Sequence, residues 1–376
     1  MFMSYIRLFE IKASSALKRL KLNRFVFFVI RFFCRRMRIS ETEVEEAMDR
    51  LSGFYPDPGS GCVWNNPLDI KSDYDLTVII PVYNVEKYLR ECLDSVLSQK
   101  TRYRYRILAV NDGSTDSSLE ILRSYGELLT VIDRKNGGLS AARNSGLKEL
   151  DSKYVMFLDS DDILPDGTLE LLMDSAIESD SDIVGGGFRR FSENGVLYES
   201  LPAAEDRING FVTCKVMKSV IFERICFPKG YWFEDTIVAF LFEPDFKTRS
   251  INTVVHGYRY NPQSITSIAS HANVKKVMDT VWVTAKLLEE RVTLGMQPNQ
   301  LIYKAFLQQL KTNYSRVCLL LDGDIDRCVF AFSCSLFDRY FKNFNTDQDL
   351  DSEMKLFQDA LQSRNYAMYK YACLLL

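Results

Sequence analysis

Apolar and polar residues alternate between residues 76 and 158 in the way that is typical of a sheet flanked by helices. Short, unbroken apolar runs predict buried strands at 76–82, 105–110, 128–134 and 154–158. From Val85 to Leu97 the apolar positions fall at offsets of 0, 3, 4, 7, 8, 11 and 12, which predicts an amphipathic helix. Because strands and helices alternate through short loops, we expect an α/β fold with a mostly parallel central sheet.

The pattern after residue 162 is less regular. Apolar runs predict strands at 183–188 and 251–260, and helical spacing predicts helices at 212–224 and from Thr236 onward. The remaining chain predicts a helical C-terminal region, with helices near 273–292, 299–321, 325–344 and 352–372. These helices are rich in Leu, Phe, Tyr and Cys. We expect them to pack as a small bundle, to cover the sheet, or to contact membrane or substrate.

Charge is distributed unevenly along the 376 residues. Residues 1–40 carry ten Lys or Arg and one acid, so this arm is +9 and the remainder is −12, within a net charge of −3. Basic and apolar residues mix at helical spacing in the arm, which predicts a basic amphipathic N-terminal helix bound to an anionic membrane surface. The alternative is a basic helix packed on its own protein. An acidic body argues against nucleic acid as a partner.

The predicted organisation has four parts. They are a membrane-associating arm at 1–40, a linker at 41–75 with a short acidic helix at 41–51, an α/β domain at 76–268 and a helical region at 269–376. Nine scattered cysteines without a Cys-x-x-Cys pair, and only two histidines, argue against a zinc site and favour reduced thiols. The longest N-terminal apolar run, Phe25–Ile30, is far shorter than the ~20 residues of a spanning helix. We therefore expect a cytoplasmic protein, peripheral on the cytoplasmic face of the membrane.

Three carboxylates follow the apolar run 154–158: Asp159, Asp161 and Asp162. Open α/β sheets bind ligands at the carboxyl ends of such strands. Carboxylates this close repel one another, and a hard cation such as Mn²⁺ or Mg²⁺ would relieve the repulsion and hold a diphosphate. The alternative is an Asp/Ser turn that caps the helix starting near Pro165.

Polar loops follow all four predicted strands, at 82–84, 111–116, 135–138 and 159–162. Tyr83 offers a ring to stack on a base, and Asp112 offers a carboxylate to a base N–H. Arg143 and Asn144 could reach phosphate or base. Each loop has a local alternative, such as an N-cap at Asn84 or turn glycines, but four together at one sheet edge favour a nucleotide site. A dinucleotide G-x-G-x-x-G is absent after the first strand.

The chain resembles the family-2 glycosyltransferases of the GT-A fold, a nucleotide-sugar-binding fold, particularly bacterial enzymes that build capsule, lipopolysaccharide or exopolysaccharide. The resemblance covers about residues 76–267 and is carried by VIIPVYNVEKYLRECLDSVLSQ (78–99), AVNDGSTDSSLEIL (109–122), NGGLSAARNSGL (136–147), YVMFLDSDDIL (154–164) and FED (233–235). These motifs in this order are highly specific. They imply transfer of a sugar from a nucleotide-sugar donor to a hydroxyl of a glycan or lipid-linked acceptor.

The resemblance also implies residue roles. The substrate-binding residues are Pro81, Tyr83 and Asn84 in the first nucleotide loop, Asp112 on the base, usually uracil, and Arg143 near base and phosphates. The D-x-D pair, Asp159 and Asp161, contacts ribose and Mn²⁺ or Mg²⁺, with Asp162 beside it. In the Glu234–Asp235 pair, Asp235 is the general base and Glu234 is a substrate-binding residue. One departure is Asn261, which stands near the position where the family often has an arginine.

Two other classes compete with an inverting, metal-dependent glycosyltransferase. A nucleotidyltransferase also holds a metal and a nucleotide with acids at strand ends, but PVYNVEKY (81–88) lacks the Gly-rich, basic loop expected for a triphosphate. A non-catalytic, membrane-bound sugar-nucleotide-binding protein would not need both Asp161 and Asp235. For Asp235, a capping acid before the helix at Thr236 is the structural alternative.

Overall fold

The structure is a computed structural model, and it describes residues 12–22, 38–271, 273–320, 324–344 and 350–376. The chain divides into two units. The sheet unit comprises Gly59–Pro262 with Thr293–Gly295, and the helical unit comprises Met1–Pro58, Gln263–Val292 and Met296–Leu376.

The sheet unit contains one eight-stranded sheet in the described part of the chain. The strands are β1 (Tyr74–Val82), β2 (Tyr105–Asn111), β3 (Thr130–Asp133), β4 (Ser152–Phe157), β5 (Ile183–Ser192), β6 (Gly195–Ser200), β7 (Val216–Lys218) and β8 (Thr248–Arg259). Their order is β3-β2-β1-β4-β7-β5-β6, and β8 also pairs with β5. β6 and β7 are antiparallel to their neighbours, while the other pairings are parallel. The mostly parallel α/β sheet confirms the predicted fold class.

Helices flank the sheet and make up most of the helical unit. They are α1 (Glu41–Phe54), α2 (Glu86–Leu97), α3 (Ser118–Ser124), α4 (Leu139–Lys148), α5 (Thr168–Ser179), α6 (Glu243–Asp245), α7 (Ile265–Ala269), α8 (Asp279–Leu294), α9 (Gln300–Val317), α10 (Ile325–Tyr340), α11 (Ser352–Gln362) and α12 (Tyr366–Leu375). The predicted helix from Thr236 is present as a π-helical turn, Val238–Phe242, that continues into α6.

The middle of the sheet explains why its four predicted strands form. Every residue of β1 from Leu76 to Val82 is buried, as expected for a central strand covered on both faces. Val82 pairs with Asn111 of β2, and Asn111 pairs with Asp133 of β3. On the other side, Ile79 pairs with Phe157 at the end of β4. The carboxyl ends of β1 to β4 are therefore aligned, so the loops that follow them start at one edge.

The prediction of a helix at 212–224 was wrong. The segment instead contains the short strand β7 and a 3₁₀ turn, Ser219–Glu223. β7 bridges β4 and β5, where Val216 and Met217 are buried, so sheet pairing decides the local structure. The strand β6 was not predicted. Its side chains are mostly exposed and carry little periodic signal.

The helical unit is built from helices that pack on one another, which was one of the three predicted arrangements. Phe330 of α10 stacks on Tyr369 of α12 with ring centroids 4.5 Å apart, and Phe306 of α9 stacks on Phe341 at 5.0 Å. The single helix predicted at 352–372 is two helices, because Arg364 adopts φ 52° and the Asn365 side chain caps α12 at Met368 N.

Most of the predicted N-terminal arm lies outside the described residues, including the run Phe25–Ile30. Residues 12–19 are helical. Within the described residues, none of the helices combines the length and the apolar character needed to cross a bilayer. Residues 60–68, expected to belong to a linker, make backbone hydrogen bonds to residues 223–229 of the sheet unit.

Candidate active site

The loops after β1 and β2 are joined through Asn84. Its backbone adopts φ 48°, its Oδ1 accepts from Thr115 N at 2.8 Å and its own N–H donates to Ser114 Oγ at 3.1 Å. Tyr83, the preceding residue, is half exposed at the sheet edge. Pro81 is buried inside β1, opposite Val110. Of this predicted trio, Tyr83 therefore presents a side chain to solvent, and Asn84 fixes the loop.

Asp112 is a buried carboxylate that organises the loop after β3. It accepts hydrogen bonds from the N–H groups of Gly137, at 3.1 Å, and Gly138, at 2.7 Å, and from Arg134 Nη1. Gly138 has φ 87°, a left-handed conformation that glycine adopts without steric cost. The residue predicted to receive a base thus lies at the sheet edge, but its oxygens already bind protein donors.

Arg143 is the charged centre of the site. Its guanidinium is completely buried, with Nη2 2.9 Å from Asp159 Oδ1 and Nη1 2.7 Å from Glu234 Oε1. Nη1 is also 3.4 Å from Asp235 Oδ1. The guanidinium packs over the ring of Phe227 at 5.3 Å. One cation thus faces three carboxylates, joining the D-x-D loop to the Glu-Asp pair.

Asn144, next to Arg143 on α4, holds the segment that leads to the Glu-Asp pair. Its Nδ2 donates to the Phe227 carbonyl at 2.8 Å, and Phe227 N donates back to Asn144 Oδ1 at 2.8 Å. Both bonds are buried, so the amide acts like a strand partner for this backbone. α4 thus positions two elements: the acids through Arg143 and the preceding chain through Asn144.

Glu234 and Asp235 differ in their access to solvent. The Glu234 side chain is 7% exposed and that of Asp235 is 32% exposed. Burial raises the pKa of both carboxyls, and Arg143 opposes the shift. The hydrogen-bond partner of the Asp235 side chain is Arg143 Nη1. Since Arg143 does not belong to the helix that starts at Thr236, this contact does not support the capping alternative.

Asp162 lies in the interior, 1% exposed, and not in the crevice. Its Oδ2 is 2.6 Å from His256 Nε2, and its Oδ1 accepts from Arg259 N at 2.8 Å. Both partners belong to β8. The carboxylate therefore binds the D-x-D loop to this strand. Its two partners lie 94 and 97 residues further along the sequence.

Substituting Asp162 should lower stability. Asp162→Ala leaves His256 and a backbone N–H buried without their partner, and we expect the free energy of unfolding to fall by about 3 kcal/mol. Urea denaturation of the purified variant measures this loss. The exposed Asp166, four residues on, offers a matched control, and Asp166→Ala should change stability by less than about 0.5 kcal/mol. Equal stability of the two variants would contradict the assigned role.

Asp161 accepts hydrogen bonds from two residues at and just beyond the end of β8. Asn261 Nδ2 donates to Asp161 Oδ2 at 2.9 Å, and Arg259 Nε donates to the Asp161 carbonyl at 2.7 Å. Burial, followed by repulsion from Asp162, raises the pKa of Asp161 to about 6, although Asn261 opposes the shift. Asn261, at the position where the resemblance led us to expect an arginine, thus binds the D-x-D loop itself.

The donor set fits a divalent cation held by two carboxylates. Within the described residues, no group of three or more His, Cys, Asp or Glu forms a complete metal cage. Mg²⁺ and similar hard cations are often bound by one or two carboxylates, with water and substrate phosphates as the other ligands. Asp159 and Asp161 supply such oxygens. Burial raises the pKa of Asp161 most, followed by repulsion from Asp162, and a bound cation would relieve that repulsion.

Sequence reasoning missed two buried residues near these acids. His256 was noted only as one of two histidines, and Lys215 was not singled out at all. Both stand in otherwise apolar segments, and a charged or titratable residue at a buried position requires partners. A titratable residue within an apolar segment was therefore the feature that could have indicated both residues, although it could not identify their partners.

Comparison with known proteins identifies relatives of this region. Residues 77–237 match the family described as Glycosyl transferase family 2. Glycosyltransferase GlyA of Streptococcus pneumoniae serotype 4 is 45% identical over 130 residues, which cover 34% of this chain and 18% of that protein. The uncharacterized glycosyltransferase EpsJ of Bacillus subtilis is 32% identical over 218 residues, covering 51% of this chain and 63% of that protein. The chain therefore spans less than two thirds of each.

A solved structure is also similar in outline. The crystal structure of Staphylococcus aureus TarS 1–349 in complex with UDP-GlcNAc aligns with 71% of this chain and 93% of that chain. The TM-score is 0.47 and the sequence identity is 18%.

Proposed function

We propose that the protein, whose residues 77–237 match the family described as Glycosyl transferase family 2, transfers a sugar from a nucleotide-sugar donor to an acceptor hydroxyl, with a UDP-sugar as our first choice of donor. The observation that carries this proposal is the meeting of the D-x-D loop and the Glu-Asp pair at Arg143. A cation site for a diphosphate and a carboxylate for an incoming hydroxyl would then both border one guanidinium. With a base and a leaving-group site in one place, we propose a single, inverting displacement at the anomeric carbon.

Each side chain of the site has its own role in the proposed transfer reaction. Asp235, the more exposed acid of its pair, takes the proton from the acceptor hydroxyl as that oxygen attacks the sugar. Arg143 holds its carboxylate in place. Asp159 and Asp161 would hold Mn²⁺ or Mg²⁺, which supplies positive charge to the leaving diphosphate. Tyr83, which is exposed at the sheet edge, would stack its ring on the base.

The experiment that tests the function is a donor screen. Hydrolysis of UDP-, GDP- and dTDP-sugars in the presence of Mn²⁺ should reveal one preferred donor. Calorimetric titration with UDP and with nucleoside triphosphates, with and without Mn²⁺, separates the competing classes. Preference for a triphosphate with release of pyrophosphate would indicate a nucleotidyltransferase. Binding of UDP-sugar without any turnover, with glycan acceptors present, would indicate a binding protein.

We infer the acceptor and location from chemistry and resemblance. A glycan or lipid-linked acceptor of capsule, lipopolysaccharide or exopolysaccharide synthesis is found at the cytoplasmic face of a membrane. The +9 arm of residues 1–40 would bring the enzyme to that anionic surface. The arm and the catalytic region are proposed to act separately, one for attachment and the other for transfer.

Deleting residues 1–37 should release the protein from anionic vesicles. Each basic residue near such a surface is worth about 1 kcal/mol, and salt screens the attraction. The cut spares Arg38 and Ile39, which pair with Asn365 and Arg364. Co-sedimentation with vesicles containing phosphatidylserine measures binding, and donor hydrolysis should be unchanged. Equal sedimentation of the truncated and full-length proteins would exclude the arm as the anchor.

A further inference from the structure

Residues 59–68, which precede β1, pair with residues 222–231, which lead to the Glu-Asp pair. We call the first of these the strap and the second the approach segment. Val63 of the strap forms an antiparallel bridge with Ile225. Backbone hydrogen bonds of 2.7–3.0 Å also join the two segments: Ser60 N to Lys229 O, Cys226 N to Cys62 O, Trp64 N to Arg224 O and Leu68 N to Glu223 O. The two segments therefore form a short ribbon in which each satisfies backbone groups of the other.

The approach segment is also bound by α4. Phe227 exchanges two buried hydrogen bonds with Asn144, and its ring lies 5.3 Å from the guanidinium carbon of Arg143. The ring of Phe227 stacks on that of Phe222 at 6.1 Å, and the Phe222 carbonyl accepts a hydrogen bond of 2.9 Å from Trp64 Nε1 of the strap. The strap and α4 therefore hold the same segment, just before it reaches the acids.

Gly59, the first residue of the strap, lies directly against Tyr231 of the approach segment. A Cβ at Gly59 would be 1.9 Å from Cε2 and 2.1 Å from Cζ of the Tyr231 ring, so a larger residue fits only if the ring moves. Tyr231 is 5% exposed, and a ring in a close-packed interior has little space to move into. The absence of a side chain at Gly59 therefore sets the position of this ring.

Only a short, constrained stretch of backbone separates Tyr231 from the acids. Phe233 adopts φ 63°, which is uncommon for a residue with a side chain. Its carbonyl accepts from Thr236 N at 3.0 Å, and the Glu234 carbonyl accepts from Ile237 N at 3.0 Å. The Glu-Asp pair thus lies in a hydrogen-bonded turn that begins two residues after Tyr231. A displacement of the tyrosine should therefore displace the turn as well.

We propose that the strap is a positioning element for the Glu-Asp pair and that Gly59 is the positioning residue at its contact with Tyr231. By binding the approach segment along its length, the strap sets where Glu234 and Asp235 meet Arg143. A general base works only within hydrogen-bond reach of the proton it takes, so a small displacement should slow transfer. This inference rests on the proposed role of Asp235 as general base, and it extends the catalytic apparatus to residues before β1.

Gly59→Ala tests the proposal, because the added methyl group overlaps the Tyr231 ring and leaves the acids chemically unchanged. We expect kcat to fall about tenfold, since a misplacement of about 1 Å can cost as much as 10² in rate. Donor Kd, measured by titration with UDP and Mn²⁺, should stay unchanged. A folded Gly59→Ala variant with wild-type kcat would overturn the proposal. So would an equal loss of kcat and donor affinity, since that indicates a general structural effect.

Gly53→Ala provides the matched control. Gly53 is exposed in α1, six residues earlier in the chain, and a Cβ there would meet no atom within 4 Å. The same substitution at this position should therefore leave kcat and donor Kd as in the wild type.

Two double variants show whether the effect of Gly59→Ala passes through Tyr231 to Asp235. Tyr231→Leu lacks atoms at Cε2 and Cζ, so Gly59→Ala should slow this background much less than it slows the wild type. In the Asp235→Asn background the base is already lost, and Gly59→Ala should add little further loss of kcat. Substitutions that act through one contact are not additive, whereas independent ones are. The full loss of kcat from Gly59→Ala in either background would overturn the proposal.

Trp64→Phe decides the matter if Gly59→Ala does not fold. Phenylalanine keeps an aromatic ring beside Lys148 but cannot donate to the Phe222 carbonyl, so the strap loses one of its contacts with the approach segment. A smaller loss of kcat with an unchanged donor Kd should follow. Wild-type kcat in Trp64→Phe would then overturn the proposal.

Asp235→Asn separates this inference from the function itself. Near-wild-type turnover of Asp235→Asn would show that the assignment of the base fails, whatever the strap variants do. Slow turnover of Asp235→Asn together with wild-type kcat in Gly59→Ala and Trp64→Phe would show that only the positioning role of the strap fails.

Discussion

Asp235→Asn is expected to transfer sugar at least a hundredfold more slowly than the wild type, at the low end of the 10²–10⁴ range typical of a general base. Asparagine keeps the size of the side chain and can still accept a hydrogen bond from Arg143. It cannot accept a proton from the acceptor at neutral pH. Binding of UDP-sugar and metal should remain near normal, so steady-state rates combined with calorimetry measure the effect.

Glu234→Gln is the matched comparison for this prediction. Glu234 is nearly buried beside Arg143, and we expect its substitution to be milder if the residue only supports the loop. A capping role for Asp235 predicts the opposite order, because asparagine is itself a good N-cap and the variant would be nearly silent. Turnover of Asp235→Asn close to that of the wild type would remove Asp235 as the base and direct attention to Glu234.

Asp161→Ala is expected to abolish metal-dependent transfer, with a loss of about 10³-fold. This corresponds to the several kcal/mol of charge stabilisation that a bound cation supplies at a leaving phosphate. Titration of UDP in the presence of Mn²⁺ should show weakened binding, which gives a readout independent of turnover. The residue lies at the sheet edge and contacts Asn261, so the fold should survive the change.

Two control measurements accompany this prediction. A thermal melt of Asp161→Ala close to that of the wild type separates loss of the cation site from loss of the fold. Chelation provides the second, since wild-type protein in EDTA should lose transfer to a similar extent. Full activity in EDTA would contradict metal dependence, and the two carboxylates would then need another role.

The strands β1 to β4 were predictable because their signal is local. An unbroken apolar run such as Leu76–Val82 marks a buried strand wherever its partners lie. Parallel topology then required the loops carrying Asn84, Asp112 and Asp159 to begin at one edge, and the register of the sheet agrees. The position of the candidate site therefore followed from periodicity and from one topological rule.

The contacts within the site could not be predicted in the same way. Arg143 meets Glu234 across 91 residues of chain, and such a long-range contact leaves no local pattern in the sequence. The same holds for Asp162, which was expected beside the ligand but binds His256 across 94 residues. At 212–224, helical spacing was misleading because β7 has three residues, too few for alternation to register.

The shared guanidinium of Arg143 also constrains how this site can change by mutation. Removing Arg143 would leave three carboxylates without their common counter-charge, whereas removing Glu234 alone would leave an arginine that still has Asp159 and Asp235. Effects at positions joined in one charged network are not additive, and the coupling between such residues is typically about 0.5–3 kcal/mol. The order in which substitutions arise therefore matters. A neutral residue at position 143 becomes tolerable only after one of the carboxylates has been lost. We therefore expect evolution to follow the path that loses the carboxylate first, and not the reverse path.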